Sequence, residues 1–367
     1  MELESLLYPI ALSMINGIGS INAKKLIAYT GSAENVFKEK RQNLLKIPGI
    51  GESHADEIKN AETLIKAEEE LKFIDKYKIK ALYYLNSDYP VRLKECNDSP
   101  IILYVRGNVN LNYEKVVSIV GTRQATNYGI NCCEKIISGF AKHKHDVMIV
   151  SGMAYGIDIS AHKLALKNNL PTVGVLGHGL NTIYPASHRE YASEIIENGA
   201  LVTEFPSKIP IDKAFFVRRN RIIAGLADAT IVVESAAQGG ALITAELANA
   251  YNRDVFAIPG RIDDNKSKGC NNLIKNNKAM LINSVEDIEY YLNWINEEKK
   301  PIQLQLFTDL TDEENKILNI VRANDEIPLD FISIEAQMPV SKTSSLLLNL
   351  ELAGLIRCLP GKIYKAI

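Results

Sequence analysis

With 367 residues, 46% hydrophobic and 23% charged, the chain has material for two or three domains and a sizeable core, which excludes disordered and fibrous classes. Its 42 basic residues nearly balance 44 acidic ones, so any affinity for nucleic acid must come from a local patch and not from net charge. No apolar run reaches membrane-spanning length and Met1-Glu2-Leu3-Glu4 lacks a basic secretory head, so a cytoplasmic location without membrane insertion is expected. The cysteines, Cys96, Cys132, Cys133, Cys270 and Cys358, are odd in number and show no metal-ligand spacing, which fits free thiols, with no metal or cofactor expected.

The N-terminal part carries a repeated pattern. Gly17-Ile18-Gly19 is followed by Ala23, Leu26 and Ile27, and Gly49-Ile50-Gly51 by Ala55 and Ile58, each a glycine turn leading into a helix. The pair resembles helix-hairpin-helix motifs, in which such glycines let backbone N–H groups approach a phosphate. Glu52, Asp56 and Glu57 crowd the second copy, and a helical packing module is the alternative. A polar helix over 61–78 leads out, with Glu68-Glu69-Glu70 expected as a solvated face. Strands are expected over 79–85 and 101–105, at the edge of the next domain.

From Val116 onward apolar strands alternate with helical segments, which predicts a Rossmann-like α/β domain with a parallel sheet and helices on both faces. Strands over 116–120, 147–150, 172–176, 229–233 and 255–258 each end in a glycine-bearing turn. The turns are Gly121-Thr122-Arg123, Ser151-Gly152 to Gly156, Gly177-His178-Gly179, Glu234 to Gly239-Gly240, and Pro259-Gly260. In open parallel sheets the carboxyl ends of the strands line one ligand crevice, so these turns locate the site without naming its ligand. No Gly-x-Gly-x-x-Gly or Gly-x-x-x-x-Gly-Lys-Ser/Thr pattern is present, which argues against dinucleotide redox chemistry and P-loop hydrolysis. Ser151, Asp158 and His162 do not announce a triad; Ser151 and Asp158 are expected to fix the glycine turn by hydrogen bonds. His143-Lys144-His145 is expected in a solvated polar loop.

The densest group of candidates is Lys213, Phe215, Phe216, Arg218, Arg219, Asn220 and Arg221, running into Ile222-Ile223. Arginine forks suit phosphate, and an aromatic ring beside them suits a base. As a helix, Arg219 shares the buried face with Ile222, Ile223 and Leu226, while Arg221 points nearly opposite. Near the C-terminus 297–301 reads as a linker, Thr311 opens a capped helix, 329–336 and 340–353 follow as helices, and 356–364 reads as a two-stranded wing. Lys342 is the only cation of the last helix, so duplex reading there is disfavoured against a protein-contact role.

Gly121-Thr122-Arg123, Ser151 to Asp158 with Ala161-His162, Gly179 to Tyr184-Pro185, Phe216 to Gly225, and Phe256 to Gly260 occur in that order. Together they resemble the DNA-processing protein A family, also called Smf or DprA, along nearly the whole chain. The resemblance implies a helix-hairpin-helix module at 1–78, a Rossmann-like DNA-binding domain at 79–298, a linker at 299–308 and a winged helix at 309–367. It implies a homodimeric, non-enzymatic binder of single-stranded DNA that protects incoming strands and loads the RecA recombinase in natural transformation. Residue by residue, Arg123 matches the phosphate-binding arginine, Lys213 the lysine before the aromatic, and Phe216 the base-stacking ring. Gly121 and Thr122 would supply turn N–H groups, and Ser151, Gly152, Arg218, Arg219, Asn220, Arg221, Gly239 and Gly240 complete the expected site. Val217 stands where proline is frequent, and Gln238 begins a turn where the family more often has a basic residue. The alternative is a nucleotide N-glycosidase of the phosphoribohydrolase type, which would use Glu234 or Glu246 as its carboxylate.

Overall fold

The computed structural model describes residues 3–294, 310–324, 326–359 and 361–366; the expected linker at 299–308 lies outside them. Two compact units result, Met1–Trp294 and Ile295–Ile367.

The first unit is built on a nine-stranded sheet of order β1-β2-β6-β5-β4-β3-β7-β8-β9. Its strands are β1 (Lys80–Tyr83), β2 (Ile102–Gly107), β3 (Lys115–Val120), β4 (Val147–Gly152), β5 (Thr172–Val175), β6 (Gly199–Thr203), β7 (Ala229–Val232), β8 (Asp254–Ala257) and β9 (Met280–Leu281). From β6 to β9 every neighbouring pair is parallel, whereas β1 and β2 extend the sheet antiparallel at one edge. Alternation along the central strands sorts side chains to the two faces. Val116, Val120, Met148 and Val150 pack with Ile222, Ile223 and Ala245 on one face. Val117, Ile119, Val147 and Ile149 pack with Ile136, Ile137, Ala161 and Ile288 on the other. Both faces are therefore covered, as the near-continuous apolar strands require. From β3 the chain winds through β4 and β5 to β6 on one side, and from β7 to β8 on the other. The switch in direction between β3 and β7 opens a crevice at their carboxyl ends.

The N-terminal helices share one core with the sheet's antiparallel edge: Leu12, Leu26 and Ile58 belong to the same buried cluster as Ile102, Tyr104 and Leu201. The two glycine turns interlock. A Cβ on Gly17 (φ +80°) would stand 2.9 Å from His54 Nε2, and one on Gly49 (φ +90°) 3.1 Å from Asn22 Oδ1. Lys24 is tied to the Ser99 hydroxyl (2.6 Å) and the Asn97 carbonyl (3.1 Å) of the sheet-bearing part. The first turn and its helix thus face the protein.

Two expectations about polar segments are corrected. Glu70 is buried, not solvated: it accepts from the Ser207 amide (3.0 Å) and hydroxyl (2.6 Å), and burial pushes its carboxyl up while those bonds pull it back. His145 is also buried, and both it and His143 contact Glu289. In each case the partner lies more than 130 residues away, beyond the reach of a local charge pattern.

The second unit has helices Asp312–Arg322, Leu329–Ala336 and Val340–Leu352 and a three-stranded sheet of order β10-β12-β11, with β10 at Ile327–Pro328, β11 at Ile356–Leu359 and β12 at Ile363–Ala366. This is the expected winged helix. Thr311 and Glu314 close a capping box at its first helix. Lys342 pairs with Glu313, so the cation of the last helix is already engaged.

Candidate nucleic-acid interface

Two adjoining cavities of about 380 and 410 Å³ lie at the carboxyl ends of the central strands. Arg123, Lys213, Phe216 and Arg219 line both and form the partition between them. The first cavity occupies the switch-point crevice, between the Gly121-Thr122-Arg123 turn after β3 and the turn from Ser235 to Gly240 after β7. The second is walled by Met153, Tyr155, His178, Tyr184 and Pro185, a more aromatic surface.

The helix Lys213–Leu226 supplies four of the shared lining residues, Lys213, Phe216, Val217 and Arg219. Asp212 caps it, accepting from the Ala214 amide at 2.7 Å. Lys213 at its first position is exposed, and the side chains of Lys213 and Arg123 make no hydrogen bond or ion pair among the described residues. Both cations are therefore available to an anion. Phe216 is half-buried over Gly177, where a Cβ would come within 2.9 Å of its ring, and it leans on Tyr184 at 5.7 Å between ring centroids. Glycine at 177 is what lets the ring lie down at this place.

Arg219 crosses beneath the partition. It is buried, its Nη1 donates to the Val175 carbonyl, and its Nε has no partner among the described residues. Burial lowers its pKa to about 10, so it remains a cation. A side chain at Gly152 would collide with it, since an added Cβ would stand 2.5 Å from the guanidinium nitrogens and from Asp158 Oδ2. Burial pushes the Asp158 carboxyl up to about 6, against the pull of Arg219 and of the Ala154 amide. An anion beside Arg219 favours the neutral carboxyl, so binding is expected to tighten as pH falls through about 6. Asp158→Asn should flatten that dependence between pH 5 and 7.5, where about one pKa unit of coupling would correspond to tenfold in affinity. The same shift has a stability consequence of fixed sign: the contribution of Asp158 to folding is complete below its ordinary value of 3.8 and is lost as pH rises through about 6.

Of the expected residues, the structure brings Gly121, Thr122, Arg123, Lys213, Phe216, Arg219, Asn220, Gly239 and Gly240 to the first cavity. Ser151, Gly152, Arg218 and Arg221 do not line either cavity. Ser151 is buried and donates to the Ile119 carbonyl at 2.6 Å. Arg221 does not point outward as its helical position suggested: it is buried, with Nη2 2.6 Å from Glu204 Oε2 and Nη1 on the Asp98 carbonyl. Arg218 reaches the same Glu204 oxygen at 2.5 Å. Two of the three arginines of this helix are thus spent on a buried carboxylate. The Thr122 amide is likewise taken, donating to the Glu234 carbonyl at 2.7 Å, so it cannot serve as an anion donor. Asp158, His178 and Tyr184 line the cavities without having been among the expected site residues, although each stands in a glycine turn or ordered motif visible in the sequence.

The carboxylates of the glycosidase alternative have other work. Glu234 is buried and accepts from the Thr126 hydroxyl (2.6 Å) and amide (2.9 Å), anchoring the helix Asn127–Lys142. Glu246 is outside the cavity lining and pairs with Lys278 at 3.5 Å. His162 spends both ring nitrogens, on Thr172 Oγ1 (2.7 Å) and the Gly152 carbonyl (2.9 Å), and burial lowers its pKa to about 4, so no triad forms with Ser151.

Residues 80–293 match the family model described as DNA recombination-mediator protein A, and residues 305–362 match the DprA winged helix domain. Protein Smf of Synechocystis is 30% identical, over 98% of both chains. The X-ray structure of DNA processing protein A from Streptococcus pneumoniae is 32% identical with a TM-score of 0.65, over 77% of this chain and 97% of that one. DNA processing protein A from Helicobacter pylori, whose structure concerns its single-stranded DNA binding mode, is 28% identical with a TM-score of 0.53, over 59% of this chain and 96% of that one.

Proposed function

The chain belongs to the DNA recombination-mediator protein A family, and from that membership and the cavity geometry we propose that it binds single-stranded DNA across the β3/β7 crevice. One observation carries the reading: Arg123, Lys213 and Phe216, from segments 90 residues apart, converge on the wall between an anion-accepting cavity and an aromatic one. A phosphate sits in the first, facing Arg123, Lys213 and Arg219, with the amino end of the helix Gly240–Ala250 opposite. The following base enters the second, against Phe216 and Tyr184. A duplex would keep its bases stacked and out of that second cavity. Stacking and backbone contacts carry little sequence information, so the preference among bases is weak.

On this reading the site works by binding and not by bond cleavage: Glu234, the buried carboxylate of the glycosidase alternative, is held by Thr126. From the family we further propose that the strand held here is incoming DNA during natural transformation, passed to RecA by a homodimer of this chain. The winged helix, whose last helix has Lys342 as its only cation and that one paired with Glu313, serves as an accessory or protein-contact module.

Gel shifts with single-stranded and duplex DNA of equal length test the reading; a preference for duplex overturns it. Arg123→Ala and Lys213→Ala are each expected to flatten the dependence of log affinity on log salt by about 0.7. An unchanged slope in both variants would remove the phosphate from this cavity.

A further inference from the structure

We propose that His143, His145 and Glu289 form a binding site for Zn²⁺ or a similar first-row divalent metal, at the amino end of β4, away from the crevice. His143 and His145 lie in the turn between the helix Asn127–Lys142 and β4, and Glu289 lies on the helix Val285–Tyr291. One ligand atom from each of the three falls within 4.8 Å of the other two. Glu289 Oε1 already holds both imidazoles, at 2.7 Å from His143 and 2.5 Å from His145. Tetrahedral bonds of about 2.0–2.1 Å set ligand atoms about 3.3 Å apart, so a small outward shift of the rings admits the ion. Two imidazoles and a carboxylate with one open position are a donor set suited to zinc. Glu286 Oε1 stands 3.5 Å from His143 Nε2, placed as the outer carboxylate that orients a ligating histidine.

The site has a built-in competitor. Lys115 Nζ lies 3.3 Å from His145 Nδ1, the nitrogen that must carry the proton once Nε2 binds metal. The ammonium has somewhere to go, because it also stands over the Trp294 ring at 5.6 Å from the centroid. Metal binding therefore moves Lys115 off the imidazole and toward the indole. The ion would fasten Val285–Tyr291 to the helix Asn127–Lys142, a contact now made by Val285 against Gly139.

Trp294, the single tryptophan of the chain, is 6.4 Å from the His145 ring and reports on the site. The test titrates ZnCl₂ into the full chain, without a histidine tag and after EDTA treatment, following tryptophan emission and heat. Co²⁺ in its place gives the coordination geometry from visible absorption. The expected result is saturable binding of one equivalent, weakened at least about 100-fold in His143→Gln and in Glu289→Gln, and strengthened in Lys115→Met. His143 is partly exposed, so His143→Gln stays folded by circular dichroism even where changes at Glu289 unsettle the helix. Absence of one-equivalent binding, or binding indifferent to His143→Gln, overturns the proposal. An affinity not raised by Lys115→Met removes His145 from the ligand set and overturns it equally.

Discussion

Phe216→Ala is expected to weaken binding of a single-stranded oligothymidylate by about 1–3 kcal/mol, roughly 5- to 150-fold, with its salt slope unchanged. The ring is half-buried, with one side against Gly177 and Tyr184 at 5.7 Å, so its position is set before any strand arrives. A pre-placed ring loses little rotamer freedom on binding, which favours the upper part of that range. Phe216→Leu keeps apolar area without a π-face and should recover only part of the loss. Fluorescence anisotropy across a salt series separates the two contributions: the ring sets the intercept, and Arg123 and Lys213 set the slope. Equal affinity for the alanine variant and the native chain would place base stacking elsewhere.

Glu204→Ala should have the largest effect on stability. One oxygen of this buried carboxylate holds Arg221 at 2.6 Å and Arg218 at 2.5 Å. Removing it leaves the buried guanidinium of Arg221 without its counter-charge, a loss of about 3–5 kcal/mol by urea denaturation. Arg218→Ala is the contrast. Its side chain is 45% exposed, so the expected cost is within about 1 kcal/mol. If the arginine cluster acted as a unit in holding phosphate, Arg218→Ala would instead flatten the salt slope as Arg123→Ala does.

The gap between these two variants marks how far the sequence could be read. Helix Leu329–Ala336 and the capping box at Thr311 were legible because caps and apolar spacing are local. The central strands were legible because each is a short apolar run ending in a glycine turn. Strand β6, Gly199–Thr203, was not recognised; it follows a helix directly, and all five of its residues are buried, so it shows no alternation. Glu70, His145 and Arg221 were misjudged for a shared reason. Each carries a charge or polar ring that looks solvated locally and is buried against a partner outside its own element, namely Ser207, Glu289 and, for Arg221, Glu204 with Asp98.

The α/β class, the family and the strand-end rim that bears the candidate site are all written in short windows, as periodicity and ordered glycine motifs. Which cations remain free for an anion depends on contacts that form between distant segments on folding. Arg123 and Lys213 were left open at the crevice, while Arg218 and Arg221 were drawn onto Glu204, because burying a charge demands a counter-charge and the chain's folding chooses which one comes within reach.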